Sequence, residues 1–236
     1  MLLTGLDSLD NKKNPFWVRL FYAYPVGTDD ELLSAIVKSD VICNYLDIPL
    51  QHISKSVLKS MRRPFGAKGT RKLVEKIANE YPQIALRTTF IVGFPGETEE
   101  DVDELVEFVS KGHFTHVGVF TYSQEKEALS FSFDGQLDDA TKEKRRARVM
   151  KAQQEVLKSK LEQKVGEREI VLVDGLHEES DLLLAARAYW QGPETDGMVI
   201  INEIPEDLDV DLKGKFVEVE YVEVAGYDLI ARVLEP

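Results

Sequence analysis

The sequence predicts an α/β chain: part of a parallel (β/α) barrel, followed by a small antiparallel β-barrel of OB-like type. Between positions 16 and 122, four strand-like runs alternate with amphipathic helical stretches, the order that builds a parallel sheet. From Val165 onward the chain turns to five short β-rich runs separated by turns, the spacing of a small barrel. One long helical pattern joins the two regions. The expected domains are therefore 1–137 and 164–236, with 138–163 as a linking helix.

Phe16 to Tyr24 is dense in aromatic and aliphatic residues and reads as the first strand, ended by Pro25 and Gly27. Thr28 with Glu31 has the spacing of a helix start, and Leu32, Leu33, Ile36 and Val37 form the buried face that follows. Asn44 to Ile48 is a second strand closed by Pro49, and Gln51 and His52 stand in the turn after it, pointing toward a ligand or bonding the turn itself. Helices follow over Ser54 to Met61 and Lys68 to Tyr81, separated by Pro64 and Gly66.

The chain is organised around Arg87 to Val109. Thr88 to Val92 is β-branched and aromatic and suits a fully buried strand of a parallel sheet. Gly93, Pro95 and Gly96 turn the chain, Thr98 and Asp101 have capping-box spacing, and Val102, Leu105, Val106 and Val109 fall on one helical face. Glu97, Glu99, Glu100 and Asp101 crowd this helix start, so it is no polyphosphate cradle; a ligand with a cationic centre, or one gripped by backbone groups, fits it better. Thr115 to Tyr122 is the fourth strand. Ligands in such folds sit beyond the C-terminal strand ends, where Gln51, His52, Gly93 to Glu97 and Tyr122 to Glu127 all fall.

The long helix spans Asp138 to Lys164, with Val149, Met150, Val156, Leu157 and Leu161 apolar; its basic start (Lys142, Lys144, Arg145, Arg146, Arg148, Lys151) reads as a solvated face. The five barrel strands are expected in EREIVLVDG, DLLLAARAYW, DGMVIIN, KFVEVEYVEV and YDLIARVLE. Charge is divided unevenly: residues 1–163 carry 23 Lys and Arg against 24 Asp and Glu, whereas 164–236 carry 6 against 18. An acidic barrel suits a basic protein and is a poor partner for phosphate backbones.

No apolar run approaches the roughly 20 residues of a membrane helix, and MLLTGLDSLDNKKNPF lacks the basic and apolar regions of a signal peptide, so a cytoplasmic protein without a membrane partner is expected. The single cysteine, Cys43, provides neither an internal disulfide nor a Cys-rich metal site, and no metal ligands are expected. A hydrolase built on His52 and Glu97 is disfavoured, because no nucleophile or metal-ligand set accompanies them.

Taken together, DIPLQHISKSVLKSMRR, LRTTFIVGFPGETEED, GVFTYSQEKE, VGEREIVLVDG, PETDGMVII and EVAGYDLIARV resemble the radical-SAM methylthiotransferases that end in a TRAM domain. The resemblance covers nearly the whole chain. It implies a radical-SAM TIM-like barrel, S-adenosylmethionine (SAM) as a ligand and [4Fe–4S] clusters in the full-length enzyme. Within the family the similarity is greatest to the branch that methylthiolates an aspartate β-carbon of small-subunit ribosomal protein twelve. A transfer-RNA adenosine methylthiotransferase and a non-catalytic protein-binding module are the alternatives. The implied partner is a basic ribosomal protein gripped by the acidic TRAM domain, with nucleic acid less favoured.

Carried over by position, Gln51 and Ser54 would serve the SAM ribose or the substrate, Arg87 the SAM carboxylate, and Ile91 with Gly93 its adenine. The family pattern G-x-I-x-G-x-x-E is met in part, with Thr89 for its first glycine and Glu97 one place late. The cluster loop CxxxCxxC is absent from this sequence. The resemblance thus implies a C-terminal portion of the enzyme, separated from an N-terminal half with the cluster, and unable to cleave SAM alone.

Overall fold

The computed structural model describes residues 2–6, 9, 15–205 and 212–234. Its elements run α1 (Leu2–Leu6), β1 (Val18–Leu20), α2 (Asp30–Lys38), β2 (Ile42–Asp47), α3 (Lys55–Ser60), α4 (Gly66–Glu80), β3 (Ala85–Val92), α5 (Glu99–Ser110), β4 (His116–Thr121), α6 (Asp139–Lys164), β5 (Arg168–His177), β6 (Ser180–Ala188), β7 (Val199–Glu203), β8 (Phe216–Ala225) and β9 (Asp228–Val233). The chain divides into two compact units. One comprises residues 20–37 and 46–156; the other takes 1–19, 38–45 and 157–236.

A four-stranded sheet has the order β1-β2-β3-β4. Strands β3 and β4 are parallel, with Arg87 opposite His116 and Val92 opposite Thr121. After β2 the chain returns to the sheet at Gln51, which forms an isolated parallel bridge to Phe90. The first strand is shorter than its composition suggests. Tyr22 takes a φ of 58° and its N–H turns to the Asp47 carboxylate at 3.0 Å, which takes it out of a strand conformation.

Strand β3 alternates. Leu86, Thr88, Phe90 and Val92 are buried, whereas Arg87, Thr89 and Ile91 are half-buried. The reading of a strand buried on both faces is corrected here, since one face packs on aromatic rings and the other borders a cavity. On the packed face, Phe90 meets Phe114 edge-on at 5.8 Å, and Phe114 in turn meets Phe108 of α5 at 5.8 Å.

Helix α5 begins with the capping box read from the sequence: the Asp101 N–H bonds the Thr98 hydroxyl at 3.2 Å, and the Thr98 N–H bonds the Asp101 carboxylate at 3.0 Å. Helix α6 departs from its reading. Lys142 and Arg145 are buried rather than solvated, in line with Val149 and Ala152. Arg145 and Arg148 bond Glu99, and Arg148 also pairs with Asp103. Of the carboxylates crowding the start of α5, Glu97 and Glu99 are met by Arg145 and Arg148, and Asp101 is met by the Ser54 and Ser56 hydroxyls and the Thr98 N–H, so the expected ligand with a cationic centre is not needed to balance these three.

The five C-terminal strands close into a barrel of order β5-β6-β7-β9-β8. The expectation of an antiparallel barrel holds for four pairings; β7 and β9 run parallel, with Val199 opposite Leu229. A ring of five strands cannot alternate direction all the way round, so at least one parallel pair is obligatory. Val171, Val173, Ala186, Val199, Ile201, Val219, Leu229 and Ala231 fill the interior. At one end a buried polar cluster forms, in which the Tyr221 hydroxyl at 2.6 Å and the Trp190 N–H at 3.0 Å both donate to one oxygen of Glu169. Burial and this carboxylate push the Tyr221 phenol well above its ordinary pKa.

Candidate functional site

A cavity of about 610 Å³ opens at the C-terminal ends of β3 and β4. Gln51, Thr89, Ile91, Phe120, Thr121, Tyr122 and Ser123 approach from the strand ends, Phe94 from the loop after β3, Ser60 to Arg63 from the end of α3, and Leu129, Ser130 and Phe133 from the segment after β4. Its floor is the packed group of Val57, Phe94 and Tyr122, with Met61, Ile91 and Phe133 against it. Phe94 stands edge-on to Tyr122 at 5.1 Å and to Phe133 at 6.2 Å, and the Tyr122 hydroxyl meets Ser130 Oγ at 2.9 Å. The arrangement is an aromatic slot with an amide, several hydroxyls and two guanidiniums at its edges.

Two of these residues have left-handed backbones although neither is glycine. Gln51 has a φ of 70° and Arg62 a φ of 56°. Gln51 is held by its parallel bridge: its N–H bonds Thr89 O at 2.9 Å, and its carbonyl accepts the Ile91 N–H at 2.7 Å. Arg62 lies just beyond α3 in a Schellman turn, the Arg63 N–H reaching Leu58 O at 2.9 Å and the Arg62 N–H reaching Lys59 O at 3.1 Å.

The structure separates the site residues read from the sequence. Gln51 and Ile91 line the cavity; Ser54, Arg87, Gly93 and Glu97 are not among its lining residues. Ser54 is buried, its hydroxyl bonded to the Asp101 carboxylate and to Ser56 Oγ. Arg87 pairs with Asp47 at 3.0 Å, the Asp47 side chain being fully buried. Gly93, at φ 76°, lies against the stem of Lys142 and gives its N–H to both oxygens of Glu97 at 2.9 and 3.0 Å. Glu97 also receives Arg145 at 2.9 Å. His52, expected to face a ligand or bond its turn, is fully buried: Nδ1 accepts the Ser54 N–H at 2.9 Å, and Nε2 lies 3.4 Å from Glu97. Phe94 falls within the ligand-facing stretch read from the sequence, whereas Arg62, Arg63 and Phe133 were missed. Only the acid-free basic run from Lys55 to Lys72 could have drawn attention to the two arginines.

The closed barrel carries a second hollow, of about 740 Å³, whose walls include Asp174, Glu178, Glu179, Glu194 and Asp196. Its one arginine, Arg187, is already paired with Asp174. Asp196 is fixed by the Gly192 N–H at 2.7 Å and the Tyr45 hydroxyl at 2.8 Å.

The sequence matches the Radical SAM superfamily over residues 6–109 and the TRAM domain over 165–234. The ribosomal protein uS12 methylthiotransferase RimO of Protochlamydia amoebophila is 41% identical over 234 residues, which cover 99% of this chain and 48% of that protein. The chain belongs to the radical-SAM methylthiotransferases. RimO of Aquifex aeolicus is 40% identical over 234 residues, covering 99% of this chain and 52% of that protein. The chain thus spans about half the length of the curated relatives it matches. Coproporphyrinogen III oxidase (HemN) from Escherichia coli, a radical SAM enzyme, aligns with 88% of this chain and 46% of its own, at 13% identity and a TM-score of 0.47.

Membership implies SAM and a [4Fe–4S] cluster. The cavity fits SAM in kind: its volume is that of a small-molecule site, and its aromatic walls with one amide and several hydroxyls match a purine nucleoside. The residues present do not fit the cluster, which needs three thiolates from a chain whose one cysteine, Cys43, is buried. Among the described residues of this chain, no helix is long and apolar enough to cross a membrane.

Proposed function

We propose that this chain is part of an enzyme that methylthiolates an aspartate β-carbon of ribosomal protein uS12, with SAM held in the cavity at the strand ends. The observation that carries this reading is the coincidence of family and geometry: a methylthiotransferase sequence whose strand-end cavity is lined by Gln51, Thr89, Ile91, Phe94, Thr121 and Tyr122. In this reading Ile91, Phe94 and Tyr122 hold the adenine, and the Gln51 amide with the Thr89 and Thr121 hydroxyls holds the polar part. When bound, SAM supplies the methyl group and radical chemistry. The protein's part is to orient it and to keep water from the aromatic floor.

The acidic hollow of the TRAM barrel is the surface that takes the basic protein, since four carboxylates line it besides Asp174, which neutralises Arg187. A specific feature favours transfer RNA as a second reading: residues 48–74 carry seven Lys and Arg and no acid. The two are separated by binding of the chain to unmodified uS12 and to transfer RNA at 50 and 200 mM salt. Binding to uS12 alone supports the first reading, and a preference for RNA overturns it.

With one cysteine, the chain by itself does not cleave SAM. Iron analysis and absorption spectra after anaerobic iron–sulfide reconstitution test this, and a stoichiometric [4Fe–4S] centre would contradict it.

A further inference from the structure

We propose that Arg62 receives a ligand carboxylate at the mouth of the cavity, and that this carboxylate is the side-chain acid of the target aspartate. The source of the carboxylate rests on the function proposed above; the chemistry of Arg62 does not.

Glycine is the usual residue where α3 ends, because the position after the helix cap in a Schellman turn is left-handed. The chain places Arg62 there, at φ 56°. Non-glycine residues in this region are strained, and such strain collects at ligand sites. Gln51, which also lines the cavity, is likewise left-handed, at a φ of 70°. Packing does not account for the arginine: Arg62 is exposed, and its guanidinium has no hydrogen bond or ion pair among the described residues.

The charge of the cavity selects the ligand. Among the described residues, Arg62 and Arg63 are the only charged ones lining it, and no carboxylate opposes them. The Arg63 guanidinium lies over the Tyr24 ring, 5.7 Å from its centre, leaving Arg62 as the free fork. A planar guanidinium matches one carboxylate through two parallel bonds. The other walls are aromatic, aliphatic or neutral polar, and would leave a second charge without a partner. The cavity therefore suits a carboxylate at its mouth, beside Arg62. A phosphate chain would need a row of cations inside the cavity, which its walls do not offer.

The test uses the 236-residue chain and four probes: N-acetyl-aspartate N-methylamide, its asparagine counterpart, SAM, and an RNA decamer. Proton–nitrogen spectra identify the Arg62 Nε–H signal by its loss in Arg62→Gly. The aspartyl probe should shift this signal and the asparaginyl probe should not. Arg62→Gly should weaken the aspartyl probe by about tenfold or more, the loss expected for a charged hydrogen-bonding pair. Relief of the left-handed position should meanwhile raise Tm by about 2–4 °C, so lost binding cannot be ascribed to a damaged fold. Arg62→Lys, which keeps the charge and loses the fork, should restore only part of the affinity.

Equal binding of the two peptide probes, undiminished binding by Arg62→Gly, or a fall in its Tm would overturn the proposal. A shift by SAM without one by the aspartyl probe would assign the carboxylate to the cofactor and overturn the peptide assignment; a shift by RNA alone would overturn the carboxylate itself. If the chain fails to bind uS12 while the aspartyl probe still engages Arg62, the proposed function fails and the anion site stands.

Discussion

Arg145, from the buried face of α6, bonds the Glu97 carboxylate at 2.9 Å and the Glu97 carbonyl at 3.0 Å, at a place where the Glu97 side chain has no solvent exposure. The same guanidinium holds Glu99 at 2.7 Å, and Glu97 in turn fixes the Gly93 N–H. The turn after β3 is therefore shaped from behind by a helix more than forty residues further along the chain. Arg145→Met leaves a buried carboxylate without its cation and should cost ~3–5 kcal/mol in urea unfolding. Adding Glu97→Gln should recover part of that loss, and a double variant no better than the single would show that the pair does not act as a unit.

Asp101 ties the start of α5 to the end of the loop after β2, bonding Thr98 and the Ser54 and Ser56 hydroxyls. Partial burial pushes its pKa up, but the hydrogen bonds from Ser54, Thr98 and Ser56 outweigh it and hold the group below its ordinary value. A depressed folded-state pKa means that the contribution is present above the unfolded value of about 3.9 and lost as pH falls through the folded one. Asp101→Ala should cost ~1–2 kcal/mol at pH 7, and the difference between wild-type and variant unfolding should shrink as pH falls below the ordinary carboxylate value and through the depressed folded-state one.

Gly93 is left-handed and packed on Lys142, where an added Cβ would crowd the inner carbons of the lysine stem. Gly93→Ala should destabilise by ~1–3 kcal/mol from strain and crowding together. Lys142→Ala made alongside it should remove the crowding but not the backbone strain. The two losses should thus fall short of additivity in a double-mutant cycle.

Cys43 is buried, and its thiol is pushed up to about 11 by that burial, with Arg19 and Arg187 drawing it down less than burial raises it. At pH 8 the native protein should resist iodoacetamide for hours and react at once in denaturant. Labelling in the native state at the rate of a free thiol would show that the strand opens locally.

Much of the fold was legible because each element announced itself locally. Thr98 and Asp101 mark their own capping box, and the alternation from Arg168 to Val233 marks five strands. The site was less legible, because its partners are distant in sequence. Nothing near Glu97 says that Arg145 will neutralise it, and nothing near Arg87 says that Asp47 will hold it. Gln51, read from its place after a strand, and Ile91, carried over from the resemblance, both line the cavity. The left-handed backbone of Arg62 was invisible for another reason: composition gives no warning when an arginine occupies a glycine's place.

The parallel seam of the barrel has a bearing on how the molecule is made. Because β9 lies between β7 and β8, neither of those strands has both neighbours until the last strand leaves the ribosome's exit tunnel. Until then the nascent domain is an unclosed ribbon with two sticky rims, held back from premature completion by the order of its own synthesis.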